Sequence, residues 1–236
     1  MILHNDPLFK IYFGDANDDC VKQDGTPNKS FYHNKLKRLQ LDNIFFLKQI
    51  HSNQGFCINS PSFLEQKVSL FKKEGDFLIT NQRKVGIGVL TADCLPIIFY
   101  DPVTRSVAVA HVGWKGAVSD IISNVLKQVI ENFRVKIEDL VVYLAPCAKV
   151  CCYQVQPDFL KNLENCSFSE NVILKRDENL FFNLPEFSKI QLLEHGILRE
   201  NIKTEYNSCT ICDPGFHSHR KSKGSLARQS TIVALS

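Results

Sequence analysis

The sequence predicts an α/β fold whose strands pair in a mixed rather than purely parallel way. Three observations lead there. Residues 85–112 hold three apolar runs, 85–90, 95–100 and 106–112, of the continuous kind that suits strands buried on both faces. The links between these runs are too short for a crossover helix, so the runs return on one another as hairpins. Beyond Gly116, Ala117, Ile121, Val125 and Val129 recur every four residues, with Ile122 and Leu126 widening the stripe. That is the pattern of an amphipathic helix lying on a sheet.

Taken in order, the first 42 residues are the least patterned. A turn is expected at Phe13-Gly14-Asp15, before Asn17, Asp18 and Asp19, and a helix from Phe31 to Leu41 with Leu36 and Leu39 on one side. Residues 43–51 and 55–59 read as a strand pair, and 60–74 as a polar loop with one helical turn. Gly75-Asp76 leads into a short strand, Phe77 to Thr80, and Asp76 either faces the pocket or caps a turn, the turn being the first reading. Asp101-Pro102 opens the tight connection between the second and third apolar runs, since proline pre-sets φ for a turn. Leu140 to Ala145 is a strand ending in Pro146-Cys147. Helices are expected over Pro157 to Leu163 and Pro185 to His195, the second stopped by Gly196. Short strands are expected at Val172 to Leu174 and Lys203 to Tyr206.

The chemistry-bearing residues sit where the strands stop. Thr91-Ala92-Asp93-Cys94 breaks the first apolar run, and His111 closes the third before Gly113-Trp114-Lys115-Gly116. A hairpin through Asp101-Pro102 brings Cys94 and His111 together, and another apolar run upstream ends on His51. One thiolate and two imidazoles form a tripod suited to zinc with a fourth position open. The same residues also allow a buried Cys beside hydrogen-bonded histidines, or a nucleophilic Cys94 with His111 as base and Asp93 nearby. Gly113 to Gly116 with Lys115 is either an anion site at a helix start or a tight strand-to-helix turn. Cys209-x2-Cys212 followed by His217-x-His219 has partial metal-site spacing, and in a strand both histidines would face one pocket. Cys147, Cys151 and Cys152 are close enough for metal or redox work but read first as small buried residues beside a strand.

Gln49-Ile50-His51, Thr91-Ala92-Asp93-Cys94-Leu95-Pro96 and His111-Val112-Gly113-Trp114-Lys115-Gly116 resemble the signatures of the YfiH-like, or laccase-domain, family. Its members carry the label multicopper polyphenol oxidase and are described as zinc-dependent purine nucleoside enzymes. The resemblance implies a layered α-β-β-α fold with mixed sheets. It also implies zinc on His51, Cys94 and His111; Asp93, adjacent to Cys94, joins the catalytic group as a residue that orients a ligand histidine or shuttles a proton. The implied reactions are phosphorolysis of adenosine, inosine, guanosine and methylthioadenosine, with inorganic phosphate as co-substrate, and deamination of adenosine. Lys115, Gly116, Arg220 and His217 are the implied phosphate and substrate residues, the last two through Phe216-His217-Ser218-His219-Arg220. Arg228 is a further anion candidate. The chain departs from the family pattern with Lys115 for Arg, Ala145 for Gly, Gln154 for Glu and Lys35 for Arg. Some relatives are linked to cell-wall precursors, so a Cys-dependent hydrolase or amidase stays as an alternative, as does a non-enzymatic purine- or metal-binding module.

Composition narrows the remaining classes. A net charge of +3 is too mild for a nucleic-acid scaffold. No apolar stretch reaches 18 residues, so no membrane span is expected. The start lacks a signal-peptide pattern and the nine cysteines are odd in number, which suits a cytoplasmic chain with reduced thiols. Seven histidines with one close pair are too few for a multicopper oxidase, although a single Cu2+ at the tripod would suit a weak laccase-like phenol oxidase. With 236 residues, a single domain over 1–236 and a monomer are the expectations.

Overall fold

In the computed structural model, residues 2–59, 68–164, 166–223 and 225–236 are described. Strands β1 (Ile2–Asn5), β2 (Phe9–Phe13), β3 (Asn43–Lys48), β4 (Gly55–Cys57) and β5 (Val68–Glu74) come first. They are followed by β6 (Phe77–Thr80), β7 (Val85–Thr91), β8 (Leu95–Asp101), β9 (Ser106–Val112) and β10 (Val141–Leu144). The last five are β11 (Gln154–Val155), β12 (Ile173–Arg176), β13 (Asn179–Phe182), β14 (Ile202–Lys203) and β15 (Gln229–Leu235). The main helices are α1 (Lys29–Leu39), α2 (Trp114–Val118), α3 (Ile121–Phe133) and α4 (Leu184–Glu194).

Two six-stranded mixed sheets form, in the orders β1-β2-β15-β7-β3-β5 and β14-β10-β8-β9-β6-β4, with β11-β13-β12 as a small third sheet. β7, β8 and β9 are buried at every position, so their unbroken apolar runs are explained by cover on both faces. Alternation along each strand then divides the core into layers. Val107 and Val109 of β9 and Ile98 and Tyr100 of β8 meet Ile87, Val89, Phe45 and Val233 between the sheets. Ala108, Ala110, Ile97 and Phe99 face the other way, onto Ile121, Val125 and Val129 of α3 and Phe187 and Leu192 of α4. On the far side of the first sheet, Tyr32, Leu36 and Leu39 of α1 pack on Ile44, Phe46 and Ile232. The result is the expected α-β-β-α stack.

Several local expectations change. β7 and β8 are not hairpin partners: β7 belongs to the first sheet and β8 to the second, so residues 92–94 step from one sheet to the other. The single helix expected after Gly116 is two, because Asp120 adopts a left-handed conformation at φ 53° and its carboxylate caps α3 through the Ser123 N–H. An aspartate that satisfies orphan N–H groups wins there over continuing the helix. Residues 68–74 form β5, parallel to β3, rather than loop, while 60–67 lie outside the described residues. Residues 204–206 are not strand. The expected pairing of residues 43–51 with 55–59 is also absent, since β3 pairs with β5 and β7 while β4 joins the second sheet. Buried Lys35 bonds to the Tyr12 hydroxyl and lies 3.3 Å from Asp18, so it is part of the scaffold.

β15, unpatterned in sequence, lies centrally between β2 and β7. Its polar start is tolerated because Asp18 accepts the Ser230 N–H and hydroxyl at 3.0 and 2.8 Å. None of the described helices is long and apolar enough to cross a membrane.

Candidate metal centre and substrate cavity

Three chain breaks bring the tripod together. Antiparallel pairing sets Pro96 opposite His111 and Leu95 opposite Val112, so Cys94 sits beside the end of β9. His51 comes from the turn after β3, where its φ of 60° tips the ring inward. Its thiol and imidazole neighbours then converge: Cys94 Sγ lies 3.8 Å from His51 Nε2, and the two histidine rings meet edge-to-face at 4.8 Å. All three ligand atoms lie within 4.8 Å of one another. A tetrahedral zinc site with bonds of about 2.0–2.3 Å needs donors about 3.3–3.8 Å apart, so these residues fit zinc with little movement. The fit also depends on Gly113. A Cβ there would lie 2.9 Å from His51 Cδ2 and 3.2 Å from Cys94 Sγ, so the glycine leaves room for the two ligands.

Asp76 holds this assembly in place, and the expectation that it merely caps a turn is corrected. Fully buried, its carboxylate accepts the backbone N–H groups of His51 at 3.0 Å and Ser52 at 2.6 Å, and the Ser52 hydroxyl at 2.7 Å. It also sits 2.8 Å from His111 Nδ1. One carboxylate therefore shapes the His51 turn and leaves His111 Nε2 as the nitrogen available to the cleft. The Asp76 carboxyl is held below its ordinary range: burial opposes this, but the bonds from His111 and Ser52 outweigh it. Burial likewise pushes the Cys94 thiol up, yet the His111 charge and bonds from both histidines bring it down to about 6. His111 rises to about 9: burial works against it, and the Cys94 charge and the Asp76 bond outweigh burial. Without an ion, the pair is a thiolate beside an imidazolium.

Asp93 does not orient a histidine. Its carboxylate accepts the Thr210 hydroxyl and the Arg220 N–H, each at 2.8 Å, and so ties the sheet-to-sheet step to the C-terminal loop. Its φ of 92° is a strained value for a non-glycine residue, held by those bonds. Gln49 is equally scaffold-like: its side-chain amide exchanges two 2.7 Å bonds with the Leu90 backbone, continuing the β3–β7 ladder.

The tripod opens into a cavity of ≈ 670 Å³. Asp93, Lys115 and Arg220 line it, as do Trp114, Tyr153, His219 and Arg228. Two predicted residues do not. The His217 ring is turned to the Asp18 carbonyl, 3.2 Å away, and Gly116 is buried inside α2, whose start is Gly113. His217 and His219 alternate only if the segment is a strand, but residues 219–222 form a helical turn that sends them apart. Gln154 directs its amide to Asn179, away from the cavity. Arg228, the further anion candidate, does line the cavity. It is half-buried, donates only to the Ser225 and Ala227 carbonyls, and makes no ion pair among the described residues. Burial lowers its pKa against the pull of Cys94 and Asp93. The Thr91 hydroxyl, also at the cavity, is buried with no partner among the described residues.

Residues 15–236 match a family model described as multi-copper polyphenol oxidoreductase laccase. The chain belongs to that family. A relative from Borreliella burgdorferi, named purine nucleoside phosphorylase, is 32% identical over 90% of this chain and 92% of its own length. Another of the same name from Aquifex aeolicus is 35% identical over 69% of this chain and 72% of its own. A human relative, purine nucleoside phosphorylase LACC1, is 35% identical over 61% of this chain, and that match spans only 34% of the human protein. The fold matches the crystal structure of Bacillus licheniformis YfiH with a TM-score of 0.83 over 99% of both chains at 19% identity.

Proposed function

We propose that this laccase-family chain is a zinc-dependent purine nucleoside phosphorylase that also deaminates adenosine. The observation that carries the reading is the His51–Cys94–His111 tripod opening onto a cavity lined by Lys115, Arg220 and Arg228. The names of the two bacterial relatives agree with it. The cavity lies within the usual range for a small-molecule site, about 300–1,000 Å³. When bound, zinc supplies Lewis acidity and a nucleophilic hydroxide near neutral pH.

The protein's own residues do the rest. Asp76 keeps the Nδ1 proton on His111, so that Nε2 faces the cleft as a lone pair. Arg228, already stripped of part of its hydration, takes phosphate, with Lys115 and Arg220 at the rim adding charge. Trp114 and Tyr153 offer flat apolar faces to a purine. In phosphorolysis a phosphate oxygen forms a bond to C1′ as the N-glycosidic bond breaks, and the electron pair leaves on the purine. In deamination a water oxygen forms a bond to C6 as the C6–amine bond breaks, one of the water protons leaving on ammonia and the other ending on N1 of the purine. The expected substrates are adenosine, inosine, guanosine and methylthioadenosine. Free thiols at all nine cysteines suit a reducing, cytoplasmic setting.

A second reading has one observation in its favour: a thiolate at Cys94 paired with His111 is also how a cysteine hydrolase would look. Multicopper chemistry has less support. All seven histidines lie among the described residues, yet only His51 and His111 share a metal-competent group.

The test is product analysis after incubating zinc-quantified protein with adenosine, with and without phosphate. Inosine without phosphate and free base only with it are expected. Cys94→Ala and His111→Ala should lose both zinc and turnover while remaining folded. Full activity in either variant sinks the zinc reading, and activity in metal-stripped wild type shifts the assignment to a cysteine hydrolase.

A further inference from the structure

Away from the tripod, four more sulfurs converge. Cys209 and Cys212 do not recruit His217 or His219. The sulfurs of Cys151 and Cys152 join them instead, and all four lie within 4.8 Å of one another. Cys212 Sγ is 3.0 Å from that of Cys152 and 3.4 Å from that of Cys151. These separations exceed the roughly 2.05 Å of a disulfide. A disulfide would also use only two of the four thiols. A tetrahedral four-thiolate zinc site places its sulfurs about 3.8 Å apart, from bonds of about 2.3 Å.

We propose that Cys151, Cys152, Cys209 and Cys212 form a second, structural metal site, with zinc as its ion. The loop geometry supplies what such a site needs besides sulfur. Cys209-x2-Cys212 is a tight turn closed by the Asp213 N–H on the Cys209 carbonyl at 3.0 Å. Four thiolates on a divalent ion carry a net charge of −2, and two cations stand by to balance it. Lys149 reaches the Asn207 carbonyl at 2.9 Å, and Arg176 reaches the Cys151 carbonyl at 2.7 Å. On binding, each thiol that is still protonated gives its proton to solvent as its sulfur takes up the metal bond.

The placement explains what the ion would do. One pair of ligands lies on the loop that leads into Tyr153, and the other flanks Thr210 on the loop that continues to Arg220. These loops already bridge through Cys147 and Cys209, with Cys147 N–H donating to Ser208 and Thr210 N–H to Cys147, both at 3.0 Å. A closed four-thiolate site cross-links them, and so fixes the cavity wall formed by Tyr153, Asp93–Thr210 and Arg220. The site is independent of which reaction the cavity performs.

The experiment saturates reduced, full-length protein with zinc, removes loose metal by gel filtration, and measures zinc and alkylatable thiols without reductant. Wild type should hold about two zinc ions per chain and yield all nine thiols. Cys209→Ser/Cys212→Ser should hold about one, and so should Cys94→Ala, which empties the other site. If the serine variant does not fold, cobalt substitution of wild type decides: about five thiolate–cobalt bonds per chain are expected by charge-transfer intensity, against one for the tripod alone. One zinc in wild type, an unchanged count in the serine variant, or a Cys152–Cys212 disulfide overturns the proposal.

Discussion

Replacing Asp76 by Asn tests the link between the fold and the tripod most sharply. The carboxylate takes His51 N–H and the His111 ring on Oδ1, and the Ser52 N–H and hydroxyl on Oδ2. An amide of the same shape has one acceptor oxygen and an NH2 group. In either orientation the NH2 faces at least one backbone N–H, which stays buried without a partner. One or two such orphans at about 2 kcal/mol each, the middle of the usual range, give a loss of about 2–4 kcal/mol. For a chain of this size that lowers Tm by roughly 5–15 °C. If the NH2 turns to His111, the ring reorients as well, and zinc affinity should fall about 10–100-fold. Melting of metal-free and zinc-loaded protein reads the first effect, and competition with a chromophoric chelator reads the second. Ser52→Ala is the control, since it removes a neighbour of Asp76 that does not touch His111, and its zinc affinity should stay within about threefold of wild type. Wild-type affinity in Asp76→Asn would falsify the role assigned to this carboxylate.

Gly113→Ala should lower zinc affinity by at least about tenfold with a folded core, because its methyl must push His51 or Cys94 aside; an unchanged chelator titration would show that the tripod tolerates a Cβ there. Arg228→Met should raise KM for phosphate about tenfold or more and affect deamination less, measured by steady-state kinetics in varied phosphate. In metal-free protein, alkylation of Cys94 followed by peptide mass spectrometry should rise with a midpoint near pH 6. The depressed thiol contributes stability that is lost as pH falls through about 6, and the raised His111 contributes stability that is lost as pH rises through about 9. Denaturant unfolding of the metal-free protein should therefore be hardest between those values, and a flat profile would rule out the ion pair.

Much of the site was legible because strand ends carry residues that a core would not choose. Cys94 and His111 close long apolar runs, and the Asp101-Pro102 turn alone implies that they meet. Asp76 was harder to read, since an acid after glycine is what any turn looks like. Its role depends on β6 pairing with β9, which sets Phe77 opposite Ala110 and so places Asp76 beside His111. His217 and His219 misled because their alternation assumes a strand, and the chain there turns as a helix instead.

Local pattern determined the strands β7, β8 and β9 and the apolar helix stripe from Ile121 to Val129, and the family resemblance singled out His51, Cys94 and His111, since periodicity and residue chemistry are properties of neighbours in sequence. Tertiary structure decided which sheet each strand joined, that β15 lies centrally in the first, that Arg228 is half-buried at the cavity, and that Cys151 and Cys152 meet Cys209 and Cys212. Each of those facts rests on contacts between residues dozens to hundreds of positions apart, and such contacts exist only once both sheets have closed on their shared core.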